Sequence, residues 1–316
     1  MVYRLFVFYV AILVVLLSAV NASSDSLTQT LEKRGVKKWT FWNWNKYKKA
    51  IVGEQSKWST PWGIHKHRGW LWAWSGSENE NAAVRDPSKK TKDLVLRVKY
   101  TAKSRNPEVH PIGGVGFLAE PLSITAKSKK VTLQYSVFFP KGFDFVKGGK
   151  LPGLYGGHGE CTGGDESGSC FTTRLMWRTD GEGEIYAYLP NSKQRKNLCD
   201  DKINICNPDY GFSLGRGTFQ FKTGTWTTVR QELVLNSQGK RNGQMSLYVN
   251  GVRKINVKNV AFRTSNTGHV CSIPSLVDLM THGEHPRINT LTLKTLSLKC
   301  HNANKLFKDN IVCDTK

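Results

Sequence analysis

Thr225–Val252, TWTTVRQELVLNSQGKRNGQMSLYVNGV, decides the fold. Asn250-Gly251 sits between LYV and VRKI, and an Asn-Gly pair at that point is the preferred centre of a two-residue hairpin. The stretch therefore reads as a strand, a polar loop and a second strand that turns tightly into a third. Upstream, Val131, Leu133, Tyr135, Val137 and Phe139 alternate with polar or smaller residues, the period of a strand with one buried face. Working outward, strands are expected at 93–100, 114–118, 130–139, 171–177, 184–189, 217–221, 226–235, 244–249, 252–257 and 290–299. No long amphipathic helix interrupts them. Many strands spaced by glycine-rich turns imply an all-β chain, one large antiparallel β-sandwich or jelly roll over residues 37–316.

The chain has 316 residues, 46 Lys and Arg against 24 Asp and Glu, and a net charge of +22 spread along its length. Its first residues, MVYRLFVFYVAILVVLLSAVNASS, combine an early Arg4, an apolar run and small residues before a polar segment. That is the pattern of a secretory signal over residues 1–22, and residues 23–36 form a polar segment whose Lys33-Arg34 pair is a candidate processing site. A basic exported protein meets acidic glycans more readily than nucleic acid, and no nucleic-acid-binding motif is present. The expected product is secreted, monomeric and free of the membrane once the signal is removed. Seven cysteines in such a chain read as disulfides. Proximity pairs Cys161 with Cys170, Cys199 with Cys206 and Cys300 with Cys313, leaving Cys271. No C-x-x-C pair or H-E-x-x-H helix points to a metal, so neither metal nor cofactor is expected.

The tryptophans of residues 37–75 (Trp39, Trp42, Trp44, Trp58, Trp62, Trp70, Trp72, Trp74) fit either sugar stacking or packing of an N-terminal strand against the sandwich, and packing is the favoured reading. Chemistry concentrates in residues 147–190, KGGKLPGLYGGHGECTGGDESGSCFTTRLMWRTDGEGEIYAYLP. Lys150 stands in a glycine-rich approach to a cysteine-bounded loop. Strand alternation then places Thr172, Arg174 and Met176 on one side, and Tyr186 and Tyr188 on one side of the next strand. The turn chemistry of Asp180-Gly181-Glu182-Gly183 joins the two as a hairpin, so a cation and two phenols share a surface.

Those groups suit β-elimination on a uronic-acid polymer. The reaction needs a cation to neutralise the C5 carboxylate, a base for the C5 proton and an acid for the leaving oxygen. Taken alone, tyrosines and arginines on strands more often pack or form ion pairs than carry out chemistry. Glycoside hydrolysis would instead need two positioned carboxyl groups, for which Glu182 and Glu184 are the candidates. Glu182 belongs to the turn, and no G-x-S-x-G elbow supports an esterase. His158 and His282 lie in loop-like segments and are candidates for lining a binding cleft.

KGGKLPGLYGG, the cysteine loop and FTTRLMWRTDGEGEIYAYLP, with LVLRVKYTAKSRNPEVHPIGGVGFLAEP upstream, resemble polysaccharide lyase family 14 over residues 93–299. The resemblance implies a β-jelly roll with an open cleft and endolytic, metal-independent cleavage of alginate or glucuronan. It puts the catalytic lysine on Lys150, the arginine on Arg174 and the tyrosine pair on Tyr186 and Tyr188. Thr172 stands where family members carry a serine. The segment CSIPSLVDLMTHGEHPRI departs from the family pattern. Cations near the basic tyrosine are expected to lower its pKa. A non-catalytic lectin for acidic glycans on the same fold is the competing expectation.

Overall fold

The computed structural model describes residues 36–41, 44, 59–64, 70–72, 81–105, 110–111, 113–122, 124, 128–157, 161, 170–207, 211–264, 275–279, 281–282 and 289–302. The expected signal segment, the Lys33-Arg34 site, His158, Cys271 and Cys313 lie outside them.

Two antiparallel sheets are stacked face to face. The back sheet runs in the order β14 (Val252–Val260), β13 (Gly243–Val249), β12 (Trp226–Val234), β6 (Ser128–Phe138), β17 (Asn289–Asn302), β4 (Leu94–Tyr100) and β3 (Ala82–Arg85), with β1 (Val36–Phe41) also paired to β17. The front sheet runs β10 (Ile205–Asn207), β11 (Gly211–Leu214), β9 (Gly183–Tyr188), β8 (Cys170–Arg178), β7 (Gly148–Gly157), β15 (Ser275–Leu279), β5 (Val115–Ala119) and β2 (Trp70–Trp72), with β16 (Thr281–His282) paired to β7. Helical structure among the described residues is limited to short 3-10 turns.

The alternation that predicted the strands also sets the core. Val131, Leu133, Tyr135 and Val137 of β6 point inward, as do Leu151, Phe171, Leu175, Trp177 and Ile185 of the front sheet, and all are buried. Each such side chain contributes about 1.5–3 kcal/mol. Two buried polar contacts tie the layers together. Tyr135 donates its hydroxyl to the Pro152 carbonyl at 3.0 Å, and Thr173 donates to Gln231 Oε1 at 3.1 Å. At one end Phe139, Phe143 and Tyr100 surround Trp177, with Phe221 against Phe139, and the Trp177 indole N–H donates to the Phe145 carbonyl at 3.1 Å.

The expected Asn250-Gly251 hairpin forms, both residues having positive φ (49° and 84°) between Val249 and its partner Val252. The packing reading holds for Trp39, Trp44 and Trp62. Trp44 and Trp62 are buried, and Trp62 packs edge-on against Trp39, Phe41 and Phe117. Cys161–Cys170 and Cys199–Cys206 are disulfides as expected. Cys300 is buried with its Sγ 3.0 Å from Ser128 Oγ, and its proposed partner lies outside the described residues.

Two expectations are corrected. Residues 217–221 are not a strand. Gly215 and Gly217 at φ 68° and 74° turn the chain, and the segment instead caps the β8–β9 turn, Gly183 donating to Phe219 O (2.9 Å) and Phe221 to Gly181 O (2.8 Å). The glycine-rich approach around Lys150 is itself a strand, β7, central in the front sheet. Glycine there serves close packing rather than a loop: a Cβ on Gly149 would stand 2.1 Å from the Trp177 ring.

Candidate active site

The outer face of the front sheet carries the groups singled out from the sequence. Thr172 of β8 lies opposite Tyr188 of β9, and Arg174 lies opposite Tyr186, so these four residues occupy adjoining positions on one face. Lys150 joins them through an irregularity in β7. It pairs with Met176, while Tyr155, five residues on, pairs with Thr172, only four residues from Met176. The extra residue in β7 is a bulge at Pro152-Gly153, and it lets an even- and an odd-numbered residue face the same side. Gly153 is required there, because a Cβ would stand 2.4 Å from Arg174 Cα and from the Thr173 carbonyl oxygen. The carbonyl of Pro152 at the bulge is the one that takes the Tyr135 hydroxyl from the back sheet.

Tyr186 and Tyr188 meet edge to face, with ring centroids 5.5 Å apart, and are packed with Met176 and Cys161. Two guanidinium groups lie over them, Arg174 4.7 Å from the Tyr188 ring centroid and Arg178 5.5 Å from that of Tyr186. Such contacts are cation–π interactions worth about 0.5–2 kcal/mol. Arg174 and both tyrosines are less than a tenth exposed, which raises the strength of every charge interaction among them. Thr172 is buried, and its hydroxyl has no hydrogen-bond partner among the described residues.

Glu184, fully buried one step along β9, anchors the cluster. Its Oε1 accepts from Arg178 Nε (2.9 Å) and Nη2 (2.6 Å), and its Oε2 from Ser213 Oγ (2.5 Å) and Arg216 Nε (2.7 Å). Both oxygens are thus committed to donors. The carboxylate serves as an anchor for two arginines and not as the acid of a hydrolase pair, whose other candidate, Glu182, lies in the turn after β8.

Burial pushes the Tyr186 phenol well above its ordinary range, reinforced by the charge of Tyr188 and a hydrogen bond with it, while Arg178 and Arg174 pull the other way and are outweighed. The expectation that neighbouring cations lower the tyrosine pKa is therefore corrected for Tyr186. Desolvation of the phenolate in this packed layer exceeds the attraction of the guanidiniums. Burial also raises the pKa of Tyr155, which shares the face beside Thr172.

His282, expected in a loop, belongs to the two-residue strand β16 opposite Gly148. That register position borders the Lys150 end of the face. Tyr155, Arg178, Ser213, Glu184 as an anchor, and Arg216 were not assigned to the site from the sequence. For Arg178 the signal was present, since it follows Arg174 by four residues in an alternating strand. For Tyr155 it was hidden by the bulge, and Arg216 comes from a connection that only the fold brings near.

The polysaccharide lyase 14 family model matches residues 88–275, which contain the whole of this face. The crystal structure of a PL-14 alginate lyase from Aplysia kurodai superposes with a TM-score of 0.64 at 29% identity, covering 82% of this chain and 97% of that one. Alginate lyase vAL-1 from Chlorella virus shares the fold, with a TM-score of 0.57 at 23% identity over 70% of this chain and 89% of that one. An exolysin of Paramecium bursaria Chlorella virus 1 is 28% identical over 151 residues, 40% of this chain but only 22% of the viral protein. With the family model spanning more than half of the sequence and centred on the two-sheet fold and its tyrosine–arginine face, the chain belongs to polysaccharide lyase family 14.

Proposed function

We propose that this protein is a secreted lyase that cleaves an acidic uronic-acid polymer, alginate or glucuronan, by β-elimination within the chain. The observation that carries this reading is the gathering of Lys150, Thr172, Arg174, Tyr186 and Tyr188 on one sheet face, with a guanidinium over each phenol ring. A uronate carboxylate seated against Lys150 and Arg174, with the Thr172 hydroxyl as a further donor, loses its negative charge to the site. The C5 proton next to it becomes acidic. Arg174 lies against Tyr188, and Tyr186 is a proton-bearing neighbour, so Tyr188 takes the role of base. The C5–H electrons form the C4=C5 double bond, the C4–O bond breaks, and the departing oxygen takes a proton. Tyr186, which holds its proton beyond the ordinary phenol range, is suited to give it. Two disulfides fit an exported protein.

The test is absorbance at ~235 nm from the new double bond while the purified protein is incubated with alginate, its block fractions and glucuronan across pH ~7 to ~10. A rise with one polymer that is abolished in Lys150→Ala and Tyr188→Phe supports the reading and names the substrate. Binding of the same polymers with no rise would replace it with a lectin.

A further inference from the structure

The far side of the sandwich carries a second constellation that the reaction does not use. Phe138 and Trp226 are cross-strand partners on β6 and β12, and their positions alternate with the core residues of those strands, so both belong to the outward face of the back sheet. Their rings are 5.4 Å apart. The connection from β3 to β4 folds over them and is fixed by Asp86. That carboxylate is buried and accepts from Ser88 N (2.8 Å) and Oγ (2.6 Å), Thr91 Oγ1 (3.0 Å) and Trp226 Nε1 (3.0 Å), with Lys294 Nζ at 3.5 Å. Between this connection and the ends of β6 and β12 lies a depression of about 450 Å³. Trp226, Phe138, Pro87 and Pro140 give it apolar walls, and Lys90 and Lys141 bring charge to its rim. The Lys141 stem is laid over Gly224, its Cγ 3.0 Å from where a Cβ would be, which positions that ammonium at the opening.

The chemistry of these walls is selective. An indole held by its own N–H to a buried carboxylate is a fixed plate, suited to the C–H face of a pyranose ring. Two exposed lysines beside it favour an anion, and Asp86, the nearby carboxylate, is already engaged by its donors. The volume falls within the ~300–1,000 Å³ range of small-molecule sites, enough for a short stretch of sugar residues. The net charge of +22 draws the same class of polymer to the surface.

We propose that this depression is a second, non-catalytic binding site for an acidic polysaccharide, with a uronate ring stacked on Trp226 and its carboxylate paired with Lys90 and Lys141. It shares with the lyase reading only the class of polymer. Because it opens on the opposite side of the sandwich from the tyrosine pair, it holds a separate stretch of polymer and keeps the protein on it.

The experiment measures retardation of the full-length secreted chain in native gels containing alginate, glucuronan or a neutral β-glucan, with turnover of an alginate tetrasaccharide followed in parallel. The double variant Lys90→Glu/Lys141→Glu is expected to lower affinity for the acidic polymers about ten-fold and leave tetrasaccharide turnover within about two-fold. Trp226→Ala is expected to lose a similar part of the affinity and Trp226→Phe to retain most of it, with melting temperatures confirming that each is folded. Unchanged retardation in the charge-reversed variant, equal retardation by the neutral glucan, or a matching loss of tetrasaccharide turnover would overturn the proposal. Gel retardation is read without catalysis, so an inactive protein that binds through Trp226 would sink the lyase reading and leave this one standing.

Discussion

Replacing Glu184 by Gln tests whether the buried anchor tunes the tyrosines or only holds the sheet together. The amide keeps the size of the side chain and one acceptor, but its NH₂ meets a donor in place of the Oε1–Arg178 or the Oε2–Ser213/Arg216 contact. Hydrogen bonds to charged groups are worth about 1.5–3 kcal/mol each, and removing one partner of a buried pair costs about 3–5 kcal/mol. Arg178 and Arg216 keep 22% and 33% of their side-chain surface, so water takes up part of the loss. The net cost is then about 2–3 kcal/mol, or a fall in melting temperature of roughly 4–10 °C. The electrostatic effect has its own sign. Glu184 acts on Tyr186 through Arg178, whose guanidinium it pairs and which lies over the Tyr186 ring. Losing the negative charge frees Arg178 to stabilise phenolate over the Tyr186 ring, so the Tyr186 pKa moves down and the alkaline limb of the pH–rate profile, where the acid loses its proton, shifts to lower pH. The assay is kcat/KM against pH at a temperature where the variant is folded. A profile that stays in place, or moves up, while the melting temperature falls as expected would refute the electrostatic coupling and leave Glu184 a structural strut.

Tyr188→Phe should lower kcat by ~10²–10⁴ with little change in melting temperature, since only a hydroxyl is lost; full activity would remove Tyr188 from proton transfer. Gly153→Ala drives a Cβ into the backbone of β8 and should cost ~1–3 kcal/mol in denaturant titration and at least about ten-fold in kcat/KM, because the bulge that brings Lys150 to the face cannot close. Thr172→Val removes a buried hydroxyl that has no hydrogen-bond partner among the described residues, so stability should hold or rise by up to ~1 kcal/mol while KM increases; a large loss of stability would contradict the assignment to substrate. Burial alone would raise the Asp86 carboxyl, but the hydrogen bonds from Ser88, Trp226 and Thr91 outweigh it and bring its pKa from 3.8 to about 2. A depressed folded-state pKa gives stability that is present above pH ~4 and lost as pH falls toward ~2, so Asp86→Asn should flatten acid unfolding in that window by roughly 1–2 kcal/mol.

The strands were legible where alternation and turn chemistry agree. The alternating run ending at Phe139 and the Asn250-Gly251 hairpin form as read, because nothing tertiary competes with a two-residue period bounded by a turn. Residues 217–221 misled, since alternating Thr218, Phe219, Gln220 and Phe221 bury their rings over a turn instead of joining a sheet. Strand β7 was hidden for the opposite reason. Its glycines look like a loop, yet their missing side chains make room for Trp177 and for the backbone of Arg174. For the site, period-2 reasoning placed Arg174 against the tyrosine pair correctly. It could not place Tyr155 beside Thr172, because one inserted residue at Pro152-Gly153 inverts the parity, and a parity inversion leaves no mark on composition.

The tyrosine pair acts as one unit in the proposed reaction. The two rings are in contact, a hydrogen bond joins the hydroxyls, and each ring has its own guanidinium, so the charge on one phenol directly opposes ionisation of the other. A negative charge on Tyr188 therefore adds to the cost of ionising Tyr186. Burial is the first cause of the high Tyr186 pKa, and the charge of Tyr188 and the hydrogen bond with it add to it. A site in which one phenol ionises and its partner is thereby held protonated contains a base and an acid at once, set by a single negative charge. In the proposed reaction the division of roles follows from which guanidinium lies nearer its ring, 4.7 Å at Tyr188 against 5.5 Å at Tyr186, and from the pairing of Arg178 with Glu184. On this argument Arg174→Lys, which keeps the charge but not the planar contact, should lose more activity than Arg178→Lys. The reverse order in kcat would assign the base to Tyr186.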